Sequence, residues 1–389
     1  MEKAYQFRFY PTPEQESLLR RTLGCVRLVY NKALHERTQR WYERQQKTGY
    51  AQTSSMLTSW KKQKDLDFLN EVSCVPLQQG LRHLKTAFAN FFVGRAQYPN
   101  FKKKHQGGNA EFTKSAFKYK GGQITLAKCK EPLAIRWSRQ IPEGCEPSTV
   151  TVKLHPSGRW HISIRFDDPT IKPLPVTDQA LGIDLGIRSL LITSNGDKIS
   201  NPKPLKKYYD KLRQLQKKLS RKQKDSKNRE KARRKVARIH AKIAETRKDH
   251  LHKLTTQLVR ENQTIVVEDL AVKNMVRNRK LARAISDASW GEITRQLAYK
   301  CRWYGRIYIE IDRWFPSSKR CSNCGYIVEK MPLSVREWQC PGCGTHHDRD
   351  VNAAQNILTA GLAVSVCGAS VRRPPEGGVA TALKQKLRS

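Results

Sequence analysis

LGIDLGIRSLLITSNGDKIS, residues 181–200, reads as two short apolar strands joined at Arg188–Ser189 and closed by an AsnGlyAsp turn. An acid, Asp184, stands inside the first strand among apolar neighbours. A carboxylate is costly to bury alone, so one in such a strand needs a cation, a metal ion or a hydrogen-bond donor. Downstream, TIVVEDL (264–270) is the continuous apolar run of a buried strand, and Glu268 stands where it leaves the core. An amphipathic helix over about 289–304 and a strand, IYIEID (307–312), follow. DRDVNAAQNILTAGL (348–362) is helical, with Asp350 at its start. Alternating strands and helices describe a mixed α/β domain, in which strand ends and helix starts gather functional groups.

Asp184, Glu268 and Asp350 therefore lie on separate elements of one α/β region. Three such carboxylates can hold two hard cations about 3.5–4 Å apart, which activate water and stabilise the leaving oxygen of a phosphodiester. Singly, a strand-end Glu or a helix-start Asp is more often a cap or ion-pair partner, and Asp348 and Asp269 are neighbouring competitors. The sharper signal is Cys321-Ser-Asn-Cys324, fifteen intervening residues, then Cys340-Pro-Gly-Cys343. Gly325 and Gly344 follow the two pairs, so each sits on a tight turn. Two knuckles of this kind make a tetrahedral four-sulfur Zn²⁺ site. His346 and His347 are alternative ligands, but four cysteines already close the shell, and a closed site is structural.

Charge fixes the class of partner. The 389 residues carry 74 Lys+Arg against 34 Asp+Glu, a net charge of +40, and only a polyanion such as nucleic acid offsets an excess of that size. Hydrophobic residues make up 38%, in periodic runs, which excludes wholesale disorder and fits two or three domains. No apolar run reaches the roughly 18 residues of a membrane span. The start, MEKAYQFRFYPTPEQ, has no basic segment followed by an apolar one, so no secretory leader is expected. Six of the ten cysteines are scattered, which points to a reducing, cytoplasmic setting.

Towards the N-terminus, Tyr5, Phe7 and Phe9 alternate as in a half-buried strand, and Thr12 or Pro13 opens a helix whose stripe is Leu19, Leu23, Val26, Val29 and Tyr30. Helical pattern continues to about 94, and YPNFKKK (98–104) ends it. From about 110 to 167 short alternating segments read as a small β-barrel. A link, IKPLPVT (171–177), leads to the α/β region. Residues 203–249 hold twenty Lys or Arg, yet Leu205, Leu212, Leu215, Leu219, Val236, Ile239 and Ile243 recur, so two charged helices packed as a hairpin hinged near KDSKN are expected. The chain after about 364 reads as a flexible basic tail.

GIDLGIRSLLITSNG, VVEDL, FPSSKRCSNCG, CPGCG and HDRDVNAAQNI, in this order and spacing, resemble the TnpB (OrfB) proteins of insertion sequences, compact relatives of type V CRISPR effectors. The resemblance runs from YQFRFYPT through YPNFKKK to VRRPPEGG, covering most of the chain. It implies an α+β multidomain fold. Within it, an RNase H-like (RuvC) nuclease domain over 176–314 and 348–363 carries the basic hairpin 203–262 and is interrupted by a zinc ribbon, 315–347. A wedge-like β-barrel over 1–10 and 95–172 and a helical recognition lobe over 11–94 precede it, and 364–389 is the tail.

The activity implied is RNA-guided cleavage of double-stranded DNA beside a short motif, by two-metal-ion hydrolysis with Mg²⁺ (Mn²⁺ as substitute). Its guide RNA comes from the transposon end, and the chain is expected to be a monomer with that RNA, nucleoid-associated in a prokaryotic cytoplasm and independent of membranes. By resemblance Asp184 is the first catalytic aspartate, Glu268 the glutamate and Asp350, rather than Asp348, the last aspartate; Cys321, Cys324, Cys340 and Cys343 are the zinc ligands. Lys102, Lys103, Lys104 and the basic helices are candidates for phosphate contacts, each with a solvated surface as its plainer role. Phe7, Phe9, Trp160 and Tyr119 are candidates for base stacking, with core packing as theirs. Two other readings remain: a non-cleaving regulator of transposition, which has no need of the intact acids, and a strand-joining transposase, whose products would be joined ends.

Overall fold

In a computed structural model, which describes residues 1–366 apart from residue 333, the chain divides into two compact units. One is Met1–Thr170 with Lys218–Arg238; the other is Ile171–Lys217 with the chain from Ile239.

In the first unit, β1 (Glu2–Tyr10) leads into α1 (Pro13–Arg44). Thr12 closes a capping box at this junction: its hydroxyl accepts from Gln15 N at 3.3 Å, and Gln15 Oε1 accepts from Thr12 N at 3.2 Å. After α2 (Tyr50–Trp60) and α3 (Cys74–Phe92) come β2 (Gly108–Thr113), β3 (Phe117–Lys120), β4 (Gln123–Leu126), β5 (Ala134–Arg136), β6 (Pro147–Leu154) and β7 (Trp160–Asp167). The antiparallel sheet has the order β2-β6-β7-β1-β5, and β3 pairs with β4 alone. Hydrogen bonding thus makes a five-stranded sheet and a separate hairpin where the alternating pattern predicted a small barrel; local alternation defines strands but not whether the last meets the first. Phe7, Phe9, Phe112, Ile162 and Phe166 of the sheet share one buried cluster with Leu19, Val29, Leu77 and Leu84 of the helices, so sheet and helices form a single core.

The second unit carries β8 (Ala180–Asp184), β9 (Leu191–Thr193), β10 (Lys198–Ile199), α4 (Pro204–Ser220), α5 (Lys227–Glu261), β11 (Thr264–Glu268), α6 (Val272–Met275), α7 (Ala282–Ala288), α8 (Trp290–Tyr304), β12 (Ile307–Ile311), β13 (Glu337–Gln339), β14 (His346–Asp348) and α9 (Arg349–Val366). Residues Lys218–Arg238 of α4, α5 and their connection group with the first unit. Of the expected tail, 364–366 end α9, and 367–389 lie outside the described residues.

The sheet order is β10-β9-β8-β11-β12, with β8, β11 and β12 parallel. Leu181, Ile183, Ile265 and Val267 pack towards Leu254, Leu258, Ile293 and Leu297 of α5 and α8. Val266, Ile309 and Ile311 pack on the other face with Ile357 of α9. Burial on both faces is why TIVVE is continuously apolar rather than alternating. The face holding α9 is built for close approach: a Cβ on Gly182 would lie 2.1 Å from the Ala354 carbonyl oxygen, and one on Gly361 2.3 Å from Val266 Cγ1. Among the described residues, no helix is long and apolar enough to cross a membrane.

Candidate metal centres

Strand parity brings the three acids together. Asp184 ends β8 and Glu268 ends β11, neighbouring parallel strands in the register Ile183↔Val267. Asp184 lies two residues from Gly182, and Glu268 two from Val266, so both point to the face that carries α9. Asp350, in the first turn of α9, precedes Ala354 by about one helical turn. The charges register each other. Burial, then the charge of Asp350, pushes the Asp184 carboxyl up to about 7. Burial, then Asp184 and Asp269, pushes Glu268 up to about 7.

The competitors separate by their partners. Burial works against the charge of Asp348, but hydrogen bonds outweigh it and hold its carboxyl below the usual range. Lys198 donates to its Oδ2, and its Oδ1 accepts from the Asp350 and Val351 amides at 3.1 and 3.0 Å. Asp348 is thus the cap of α9, while Asp269 is paired with Arg313. Asp350 keeps one partner in the adjoining segment, Arg336 Nη1 at 3.3 Å. Beside Glu268 a cavity of about 540 Å³ opens, lined by Leu185, Lys273, Trp290 and Arg313 among others. Of the three acids Glu268 lines this cleft, and carboxylate oxygens are the donors that hard divalent cations take.

The four cysteines are gathered more tightly: among the described residues they form the group whose ligand atoms all lie within 4.8 Å of one another. Cys321 Sγ is 3.7 Å from Cys343 Sγ, and Cys324 Sγ 3.5 Å from Cys340 Sγ. Zn–S bonds of about 2.3 Å set tetrahedral edges of about 3.8 Å, so the spacing fits Zn²⁺. Gly325 and Gly344 take φ of +81° and +73°, the left-handed conformation that closes each knuckle. Hydrogen bonds from the Thr345 hydroxyl and amide pull the Cys343 thiol down to about 6. His347 is buried with Nε2 3.0 Å from Cys321 Sγ, placing it behind the cluster against Trp338.

Two functional positions escaped the sequence reading. Asn352 Oδ1 accepts from Ser322 N at 2.9 Å, and its Nδ2 donates to the Arg320 carbonyl at 2.7 Å. Asn356 Nδ2 donates to the Arg320 and Ser317 carbonyls at 2.6 and 2.9 Å. Both are buried, so the first cysteine knuckle is clamped onto the helix that carries Asp350. The available signal was two asparagines four apart on a helix otherwise lined by Ala353, Ala354 and Ile357.

The lysines divide. Lys102 places Nζ 3.9 Å over the Tyr30 ring, and its backbone is clamped by Asn31. Lys103 and Lys104 are exposed. Phe7, Phe9 and Trp160 are buried and Tyr119 partly so, all within the first unit's core.

Three family models match the chain: "Probable transposase" of the OrfB type over residues 161–279, the Cas12f1-like TNB domain over 290–357, and an OrfB-type helix-turn-helix domain over 1–46. In the structure 1–46 holds one strand and α1. A protein of Streptomyces pristinaespiralis named "Putative RNA-guided DNA endonuclease" is 58% identical over 96% of this chain and 92% of its own length. InsQ of Escherichia coli K12, under the same description, is 34% identical over 95% of both chains. The chain belongs to the TnpB (OrfB) family. The fold of this TnpB also resembles Cas12f1 in a cryo-EM complex with sgRNA and target DNA, with a TM-score of 0.59 at 14% identity, over 92% of this chain and 98% of that one.

Proposed function

We propose that this TnpB is an RNA-guided DNA endonuclease of an insertion sequence, and that Asp184, Glu268 and Asp350 form its RuvC-like cutting site. The observation that carries the site is the convergence of Asp184 and Glu268, at the ends of adjacent parallel strands, with Asp350 on the helix packed against them. In this reading the three carboxylates hold Mg²⁺, which when bound supplies Lewis acidity and a nucleophilic water at neutral pH. The apolar floor of Leu181, Ile183 and Val267 fixes both strand ends, so the carboxylates keep their mutual position as the substrate strand enters. Lys273 and Arg313, in the cleft beside Glu268, are placed to meet backbone phosphate.

Cys321, Cys324, Cys340 and Cys343 hold a structural Zn²⁺, making 315–347 a zinc ribbon, and the clamp through Asn352 and Asn356 relates that ribbon to Asp350. The partners are a guide RNA from the transposon end and double-stranded target DNA, bound by a monomer. Phosphate contacts from Lys103, Lys104 and the basic helices α4 and α5 account for the +40 charge.

The test uses protein purified from cells that also transcribe the transposon end. Wild-type complex should cut guide-matched plasmid in Mg²⁺ and not in EDTA, and Asp184→Ala should retain the RNA but not cut. Cleavage by Asp184→Ala at the wild-type rate would overturn the assignment.

A further inference from the structure

An unexplained surface lies in the first unit, where the C-terminal turns of α1 and α3 meet the loop that follows α3. Tyr42 is 77% exposed and Phe92 74%, with Trp41 and Tyr98 beside them at 44% and 41%. They rest on a second aromatic layer. Phe92 stacks on Phe88 at 6.1 Å, and Tyr98 stands edge-on to Phe88 and Phe91 at 5.5 and 5.3 Å. Arg37 lies 3.9 Å over the Phe88 ring, and the Tyr98 hydroxyl meets that of Thr38 at 2.7 Å. Trp41 is four residues after Arg37, and Tyr42 four after Thr38, so both continue the same face of α1.

Contiguous exposed aromatic surface marks an interaction site. Its surroundings decide the partner: exposed Arg44 and Arg95 lie two and three residues from Tyr42 and Phe92 in the chain, with partly exposed Arg40 two before Tyr42, and Glu43 is the exposed acid among them. Aromatic faces within a cationic rim are the chemistry of unpaired nucleotides, whose bases stack while their phosphates meet the arginines. Duplex DNA keeps its base faces stacked inside, whereas RNA presents them in loops and bulges. The buried Phe88 and half-buried Phe91 hold the platform rigid before binding, which lowers the ordering cost.

We infer that this face binds an unpaired segment of RNA, with bases stacked on Tyr42 and Phe92. The inference rests on the proposed RNA-guided function and locates one RNA contact on the helical side of the first unit.

The test compares wild type, Tyr42→Ala/Phe92→Ala and Tyr42→Phe/Phe92→Tyr. The probes are the RNA that co-purifies with wild type, oligouridine, and oligodeoxythymidine of equal length, and mass is measured by light scattering. Both side chains are exposed, so all three proteins should unfold at the same temperature. The alanine pair should bind both RNA probes about 5- to 150-fold more weakly per lost stack, and the aromatic pair should restore binding. Equal RNA affinity in all three overturns the inference while leaving the guided nuclease standing. A loss confined to oligodeoxythymidine overturns it in favour of a DNA strand, and a dimer that the alanine pair dissociates, with RNA affinity unchanged, overturns it in favour of a second copy. Wild type that carries no RNA removes the functional reading and the inference together.

Discussion

Gly182 and Ala354 touch so closely that a Cβ on Gly182 would lie 2.1 Å from the Ala354 carbonyl oxygen and 2.8 Å from Leu358 Cβ. That contact seats α9 directly on β8. Asp184 is two residues along the strand and Asp350 one turn back along the helix, so the same contact sets the distance between two acids of the proposed site.

Gly182→Ala is therefore expected to push α9 off the sheet. Overpacking of this kind costs about 1–3 kcal/mol, and each 1.4 kcal/mol of misalignment expressed at the transition state is about tenfold in rate. RNA affinity should be unchanged, while guided cleavage falls at least about tenfold. Single-turnover cleavage measured beside thermal unfolding checks this, and a fully active Gly182→Ala protein would show that helix spacing does not position the acids.

Asn352 supports a second prediction. Replacing it by Ala leaves the Ser322 N–H and the Arg320 carbonyl without that partner, a loss of about 1–3 kcal/mol. Zinc content, read by native mass spectrometry, should stay as in wild type, because the four sulfurs are untouched. Amide exchange in the first turns of α9 should rise, and cleavage should fall with it. Zinc lost on Asn352→Ala would instead place the asparagine in support of the metal alone.

Asp287 gives a third. It is 4% exposed and accepts from Leu205 N and Lys206 N at 3.1 and 3.2 Å, capping the start of α4, while Arg247 Nη2 of α5 donates to it at 3.1 Å. Asp287→Ala strands a partly buried guanidinium and two amides at once, and should destabilise by about 3 kcal/mol. Asp287→Asn should recover part of that loss. Chemical denaturation with hydrogen exchange at the first turn of α4 reads both, and an unperturbed α4 would refute the capping role.

What the sequence discloses is set by period. Asp184 was visible as an acid inside an apolar strand, which the structure instead ends at that residue, Glu268 as an acid ending an apolar run, and Cys321 to Cys343 as paired knuckles, because apolar runs and knuckle spacing are local. Gly182, Asn352 and Asp287 act across 172, 30 and 82 residues of chain separation, respectively, and nothing local distinguishes them from an ordinary glycine, a helix-surface asparagine or an exposed acid. The five-stranded sheet of the first unit has the same cause. Strands β2 and β5 were legible individually, but whether they meet depends on curvature, and the core they share with α1 and α3 depends on tertiary packing.

The raised carboxyls of Asp184 and Glu268 predict an inverted pH dependence. Unfolded carboxyls titrate near pH 4, and these two titrate at about 7 in the folded chain. Between those values the native state holds more protons than the unfolded one, so their contribution to stability is full below about pH 4 and is lost as pH rises through 7. In EDTA, the melting temperature of wild type relative to Asp184→Asn should therefore fall between pH 5 and about 8. Cations bind the deprotonated forms, so apparent Mg²⁺ affinity should rise across the same interval and the fall in melting temperature should shrink when Mg²⁺ is present. Melting curves with and without Mg²⁺ at several pH values measure both signs. A difference between wild type and Asp184→Asn that is flat across this range would mean that Asp184 is ionised throughout, and that the Leu185 backbone hydrogen bond, with Arg349 and Arg336, outweighs its burial and the charge of Asp350.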